Sequence, residues 1–174
     1  MELEASKNTT TVVNTMAYFV FVPCAGVVAG LPAYLFQTGM FGMDRNTNMV
    51  LFAAITLITA GLLLSVYSNA ATGRYFKLWS GDTGRKARAK AAGLQSHGGK
   101  KGAKDTRYAD IEGATRTESI AYAVGKNNLL FLLLALTLAF VICKPMTLDY
   151  PQVNYVISSL APAVFLAWWS TYEQ

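Results

Sequence analysis

Apolar positions along this chain fall in blocks rather than in a period. Four long runs, Val12–Phe36, Met49–Ala71, Leu129–Cys143 and Val153–Trp169, contain no Asp, Glu, Lys, Arg or His. At a rise of about 1.5 Å per residue, a hydrocarbon core of about 30 Å takes roughly 20 residues. The first two runs have that length, and the other two lengthen through Asn127, Asn128, Ser170 and Thr171. LLFLLLALTLAFVIC (Leu129–Cys143) lacks the polar stripe of a soluble-bundle helix, and no run alternates with the period of two that a membrane strand needs. The pattern predicts an all-α, polytopic membrane protein with four transmembrane helices. The spans are 12–36, 49–71, 127–144 and 153–171. They are joined by connections 37–48, 72–126 and 145–152, between termini 1–11 and 172–174.

Composition agrees: mean hydropathy is +0.31 and only 14% of residues are charged. The start, MELEASKNTTT, carries two acids and one Lys. A cleavable leader would have a basic n-region and a mitochondrial presequence would be Arg-rich, so the first run is expected to be a retained anchor. Charge then gives the orientation. GRKARAKAAGLQSHGGKKGAKDTR (Gly84–Arg107) holds eight Lys or Arg and a single acid, Asp105. The wider segment Ala71–Lys126 carries +7, against −2 for the rest of the chain, while the short stretches Gln37–Asn48 and Lys144–Gln152 are neutral. Positive charge stays on the cytosolic side, so the central connection and both termini are expected there. A cytosolic N-terminus also silences the sequon Asn8-Thr9-Thr10. Cys24 and Cys143 lie in apolar runs and read as buried thiols.

Within the spans, Gly26 and Gly30 form a GxxxG pair, and Thr56 sits between Ala53 and Ala60 on a face of small residues. Such faces suit close helix packing in lipid, so Gly26, Gly30 and Thr56 are the expected packing positions, and Pro23 an expected kink. Tyr67, Tyr75, Phe76 and Trp79 interleave with Arg74 and Lys77, while Trp168, Trp169 and Tyr172 end the last run. Both groups read as aromatic belts at the headgroup boundary.

The basic segment reads as a helical hairpin between the second and third spans. RKARAKAA (Arg85–Ala92) is made of helix formers, QSHGGKKGAK is a Gly-rich turn, and a second helix is expected from near Asp105 or Thr106. At about 100° per residue, the charges of the first helix spread around the cylinder and leave only Ala between them. A membrane-surface helix needs a strong apolar face, so a polyanion is the better fit. The candidate contacts are Arg85, Lys86, Arg88, Lys90, Lys100, Lys101, Lys104 and Arg107.

No catalytic constellation is present. The single histidine, His97, lies in the Gly-rich turn, no Cys/His cluster suits zinc, and GDTGRK (Gly81–Lys86) lacks the spacing of a phosphate loop. Asp105, Asp110, Glu112 and Glu118 alternate with Arg107 and Arg116, as on a solvated helix face. No ionisable group lies inside a run, which leaves ion transport unsupported. The reading is non-enzymatic, with no catalytic residue, metal or cofactor.

Several stretches together resemble a known family. They are GLPAYLF (Gly30–Phe36), GMD (Gly42–Asp44), TLITAGLLLSVYSNA (Thr56–Ala70), ADIEGATRTESIAYAVGKNNLLFLL (Ala109–Leu133) and VNYVISS (Val153–Ser159). The chain resembles the gamma subunit of the translocon-associated protein complex, also called the signal-sequence receptor complex. The resemblance implies a multi-pass protein of the endoplasmic reticulum membrane, with lumenal short connections and both termini cytosolic. It implies as partners the other subunits of that complex, the Sec channel, the lipid bilayer and the large ribosomal subunit, through ribosomal RNA or a ribosomal protein. The implied role is to anchor the complex beside the channel and to touch the translating ribosome through the basic hairpin. The basic segment is richer in Gly and Ala than the family's Lys/Glu-rich helices. Two alternatives remain at this point: a membrane scaffold whose basic loop binds anionic lipid headgroups, and a small transporter.

Overall fold

The computed structural model of the chain describes residues 15–37, 41–81, 101–143 and 150–172; side chains are described over most of these. Four long helices account for nearly all of them. They are α1 (Thr15–Gln37), α2 (Met49–Ser80), α3 (Lys101–Thr137, continued by a π-helical turn, Leu138–Cys143) and α4 (Pro151–Ser170). All four are long and apolar enough to cross a membrane, and no strand occurs among the described residues. α1 runs unbroken through Pro23 and Pro32, and α3 through Gly113 and Gly125. The third helix begins at Lys101, a turn earlier than the expected Asp105 or Thr106.

Lipid tails are as apolar as leucine, so these helices gain little from hiding apolar surface and associate through packing and hydrogen bonds. The side chains that do this also report the register. Asn69 Nδ2 donates to Ser170 Oγ at 3.2 Å, and Thr56 Oγ1 lies 3.5 Å from Tyr155 Oη, so α2 and α4 run parallel. Tyr67 Oη donates to Asn128 Oδ1 and Arg74 pairs with Glu118, so α2 and α3 are antiparallel. Asn154 Nδ2 reaches the Ala139 carbonyl at 3.2 Å, which sets α4 against α3. The result is an up-down-up-down bundle. The start of α1, the end of α2, the start of α3 and the end of α4 share one end, the one bearing the basic charge. The short connections share the other.

α1 packs through Phe21, Ala25, Ala29, Ala33 and Phe36, spaced four apart except at the last step and all buried. Phe21 meets Tyr67 at 5.5 Å and Phe36 meets Tyr155 at 5.3 Å between ring centroids. The close-approach seam is therefore alanine. Gly26 and Gly30 lie one position round the helix, and a Cβ at either would meet nothing within 4 Å, so the expected GxxxG face does not pack within this chain. An alanine methyl still permits close approach and adds contact area that glycine lacks. Thr56, by contrast, does face another helix, through Tyr155, whereas Ala53 on its expected face is exposed.

The π turn has a local partner. A wider turn takes carbonyls out of the regular ladder, and inside lipid each needs a donor. Asn154, 1% exposed, supplies one to Ala139. At the same end of the bundle, Gly42 adopts φ +66, a left-handed backbone that favours glycine. This turn lets Met43 enter the core beside Phe36. Asp44 Oδ2 then accepts from Thr47 Oγ1 at 2.6 Å and from Thr47 N–H at 2.9 Å, while Asn48 donates to the Asp44 carbonyl. This turn launches α2.

Two measurements check this account. In a double-mutant cycle, Tyr67→Phe and Asn128→Ala should couple by about 0.6–1.7 kcal/mol in bicelle unfolding, the range for hydrogen bonds between membrane helices; additive losses would show that the pair does not set the register. The Thr47 hydroxyl, then the Thr47 N–H, hold the Asp44 carboxyl below the ordinary aspartate range. A depressed folded-state value stabilises the turn above the unfolded value of about 3.9 and loses that stabilisation as pH falls through the folded value. Amide-exchange protection at Thr47 should therefore be flat above about pH 4 and decline below it, and Asp44→Asn should abolish the decline.

Candidate functional site

The functional surface begins where the four helices stop being equal in length. Ser170 ends α4 level with Asn69 of α2, yet α2 continues to Ser80 and α3 reaches back to Lys101. At about 1.5 Å per residue, α3 thus carries roughly 30 Å of helix between Lys101 and Tyr122, all of it beyond the level of Ser170. The two projecting helices are joined in sequence by the basic segment.

Between them runs a charged seam. Arg74 Nη2 of α2 lies 3.4 Å from Glu118 Oε1 of α3, and the Arg74 guanidinium sits 4.7 Å from the centroid of the Tyr122 ring. Lys126 Nζ approaches the same ring at 5.8 Å. One turn farther out, Arg116 pairs with Glu112 at 3.2 Å within α3. Exposed pairs of this kind contribute well under about 1 kcal/mol each; Arg74–Glu118 is the one of the two that crosses from α2 to α3. On α2, Tyr75 stacks on Trp79 at 5.8 Å with an interplanar angle of 9°. Tyr75 is buried, which favours the anchoring role of these aromatics over stacking on a nucleic-acid base. Trp168, Trp169 and Tyr172 are exposed at the end of α4, completing a belt at the level where the apolar surface ends.

The sequence-derived contact residues divide into two groups. Arg85, Lys86, Arg88, Lys90 and Lys100 lie outside the described residues, as do His97 and the expected helix Arg85–Ala92. Lys101, Lys104 and Arg107 lie on the opening turns of α3, whose backbone is described. Sequence reasoning missed Arg74, Glu118, Tyr122 and Lys126 as a set, because they are 44 or more positions apart across the helix pair and only the register unites them. It also treated Asn127 and Asn128 as extensions of the third span. Both are structural: Asn127 donates to the Ala123 carbonyl at 2.8 Å, and Asn128 accepts from Tyr67. The available signal was an Asn pair beside an apolar run, where an amide needs a partner.

Among the described residues no three His, Cys, Asp or Glu side chains gather as metal ligands, and Cys24 is a free thiol. The surface is built of cations, carboxylates and rings at a membrane boundary, which suits docking. No curated protein matches the chain. The family described as "Translocon-associated protein, gamma subunit (TRAP-gamma)" matches it over residues 3–172, nearly its whole length. Four helices of membrane-crossing length and this match agree with each other, and the chain belongs to the family of translocon-associated protein gamma subunits.

Proposed function

We propose that this chain is a non-catalytic subunit of the translocon-associated complex in the endoplasmic reticulum membrane. It anchors the other subunits beside the Sec channel and contacts the translating ribosome through its basic segment during co-translational translocation. The observation that carries the ribosome contact is the projection of α2 and α3 past the end of α4. The eight basic residues of Gly84–Arg107 lie on the connection between those projecting helices and on the start of α3. A segment with +7 across Ala71–Lys126, whose stretch Arg85–Ala92 has only Ala between its charges, suits a phosphate-rich surface. Lys and Arg contacts to phosphates release counterions and bind without reading base sequence. The charge asymmetry supports the orientation proposed here, with both termini and the basic connection cytosolic and the spans and connections as set out from the sequence.

The bundle supports the anchoring role differently. The outer face of α1 shows Phe19, Val22, Val27 and Tyr34 to the surroundings, with Gly26 among them. Gly26 and Gly30 thus suit close approach by a helix from another subunit rather than from this chain.

Two experiments test this reading. Arg85→Glu, Lys86→Glu, Arg88→Glu and Lys90→Glu together should weaken co-sedimentation with ribosomes and lower the slope of log K against log salt by about 3–4. Unchanged co-sedimentation would sink the contact, binding of the segment to anionic vesicles but not to ribosomes would favour the lipid-scaffold alternative, and lost membrane insertion would point to a role in topology alone. Gly26→Leu with Gly30→Leu should reduce recovery of the other complex subunits in mild detergent without unfolding the bundle. Full recovery would remove the glycine pair from the contact.

A further inference from the structure

The hydrogen bonds that fix the register also fix where the apolar surface begins and ends. At the charged end, Asn69 is level with Ser170 and Tyr67 with Asn128. Trp168 precedes Ser170 by two residues as Tyr67 precedes Asn69, so Trp168 of α4 stands level with Asn128 of α3. At the other end, Asn154 reaches the Ala139 carbonyl, and four residues outward on each helix Tyr150 stands level with Cys143. Markers of the water boundary sit at both heights. On α4, Trp168, Trp169 and Tyr150 are exposed, as belt aromatics are. On α3, the run Asn127–Cys143 is uncharged, and in the sequence Lys126 precedes it and Lys144 follows it.

Tyr150 and Trp168 are 18 positions apart, which is about 27 Å of helix. The 17 uncharged residues of α3 make about 25 Å. On α1 the exposed Tyr18 and Tyr34 are 16 positions apart, about 24 Å. All three fall short of the roughly 30 Å of an average hydrocarbon core, and any tilt shortens their reach further. Sliding one helix past another cannot lengthen the apolar belt, because the polar bonds hold α2, α3 and α4 in line. We infer that the bundle is sized for a thin bilayer and selects lipid by thickness, taking a hydrocarbon core of about 25–27 Å. In a thicker bilayer the belt aromatics and Lys126 are drawn below the headgroups, or the lipid thins around them, and either is unfavourable. The endoplasmic reticulum bilayer measures about 27 Å against about 32–33 Å for a plasma membrane, which gives the residence proposed above a physical basis. The inference rests on the four spans, and ribosome contact plays no part in it.

The test uses the purified full chain in vesicles of single phosphatidylcholines whose hydrocarbon cores run from about 20 to about 36 Å. Each preparation is heated, solubilised in mild detergent and run on a sizing column. The temperature at which half the chain is lost from the folded peak is recorded. Wild type should resist heat best near about 27 Å and lose resistance in both thinner and thicker bilayers. Lys126→Leu, Trp168→Leu and Trp169→Leu together move the first polar markers out by one turn, to Tyr122 and Tyr172. They should shift the optimum by about 6 Å, to about 33 Å. A wild-type profile that is flat, or that peaks at about 30 Å or more, overturns the inference, as does an optimum that stays in place in the triple variant. Should the triple variant give no folded peak, the wild-type profile decides alone. Imaging of the tagged wild type in cells reads residence in the endoplasmic reticulum separately, so failure of that reading is distinguishable from failure of this one.

Discussion

Polar side chains in lipid must find partners within the protein, and in this bundle that requirement sets the register of α2. Tyr67 and Asn128, Asn69 and Ser170, and Asn154 with the Ala139 carbonyl each bond across a helix pair. A slide of α2 by one turn would break the first two at once and leave Tyr67 and Asn128 without each other inside the bundle. Apolar packing alone would not resist such a slide, since Leu against Leu and Leu against lipid differ little. The few amides and hydroxyls specify alignment, and the alanine seam of α1 then lets the helices close on it.

Alignment in turn decides what emerges. Because Asn69 is level with Ser170, the eleven residues of α2 that follow lie beyond the end of α4. Because Tyr67 is level with Asn128, the first two-thirds of the 37-residue α3 lie beyond it as well. Arg74, Glu118 and Tyr122 meet at the base of this projection. The basic segment is thus carried by two helices held together at their exit, which limits how far its attachment points can swing. Docking by such a segment loses less conformational freedom than docking by a free loop.

What could be read from the sequence was what composition alone decides. Four uncharged runs gave four helices, and charge asymmetry separated the two ends, because both signals are sums over many residues. Pairwise matters were not legible. GxxxG at Gly26 and Gly30 does not say which neighbour it meets, and the chain's own neighbours sit on Ala25, Ala29 and Ala33 instead. The π turn at Leu138–Cys143 has no local signal, since its partner Asn154 belongs to the next helix. The cation–ring cluster was invisible for the same reason. Arg74 and Lys126 read separately as an interfacial residue and a flank, and only antiparallel pairing makes them one group. Of the candidate contact residues, only Lys101, Lys104 and Arg107 fall on described structure.

The residues that carry the family resemblance have physical tasks that explain why they form recognisable motifs. In GMD, Gly42 supplies the left-handed turn, Met43 enters the core, and Asp44 organises the start of α2. In VNYVISS, Asn154 serves the π turn and Tyr155 meets Phe36, Phe52 and Thr56. The Asn127-Asn128 pair binds within α3 and across to α2. Each task needs a particular side chain at a particular position, because geometry tolerates no substitute of different shape or polarity. Counterion release makes no such demand: a phosphate surface responds to the number and density of cations, and their order matters little. A Gly- and Ala-rich basic segment can therefore keep its electrostatic capacity through changes in the order of its residues. The motifs quoted for the family resemblance lie on the four helices and their turns, whereas the proposed ribosome contact resides in a segment whose composition, rather than its order, is what physics asks to be kept.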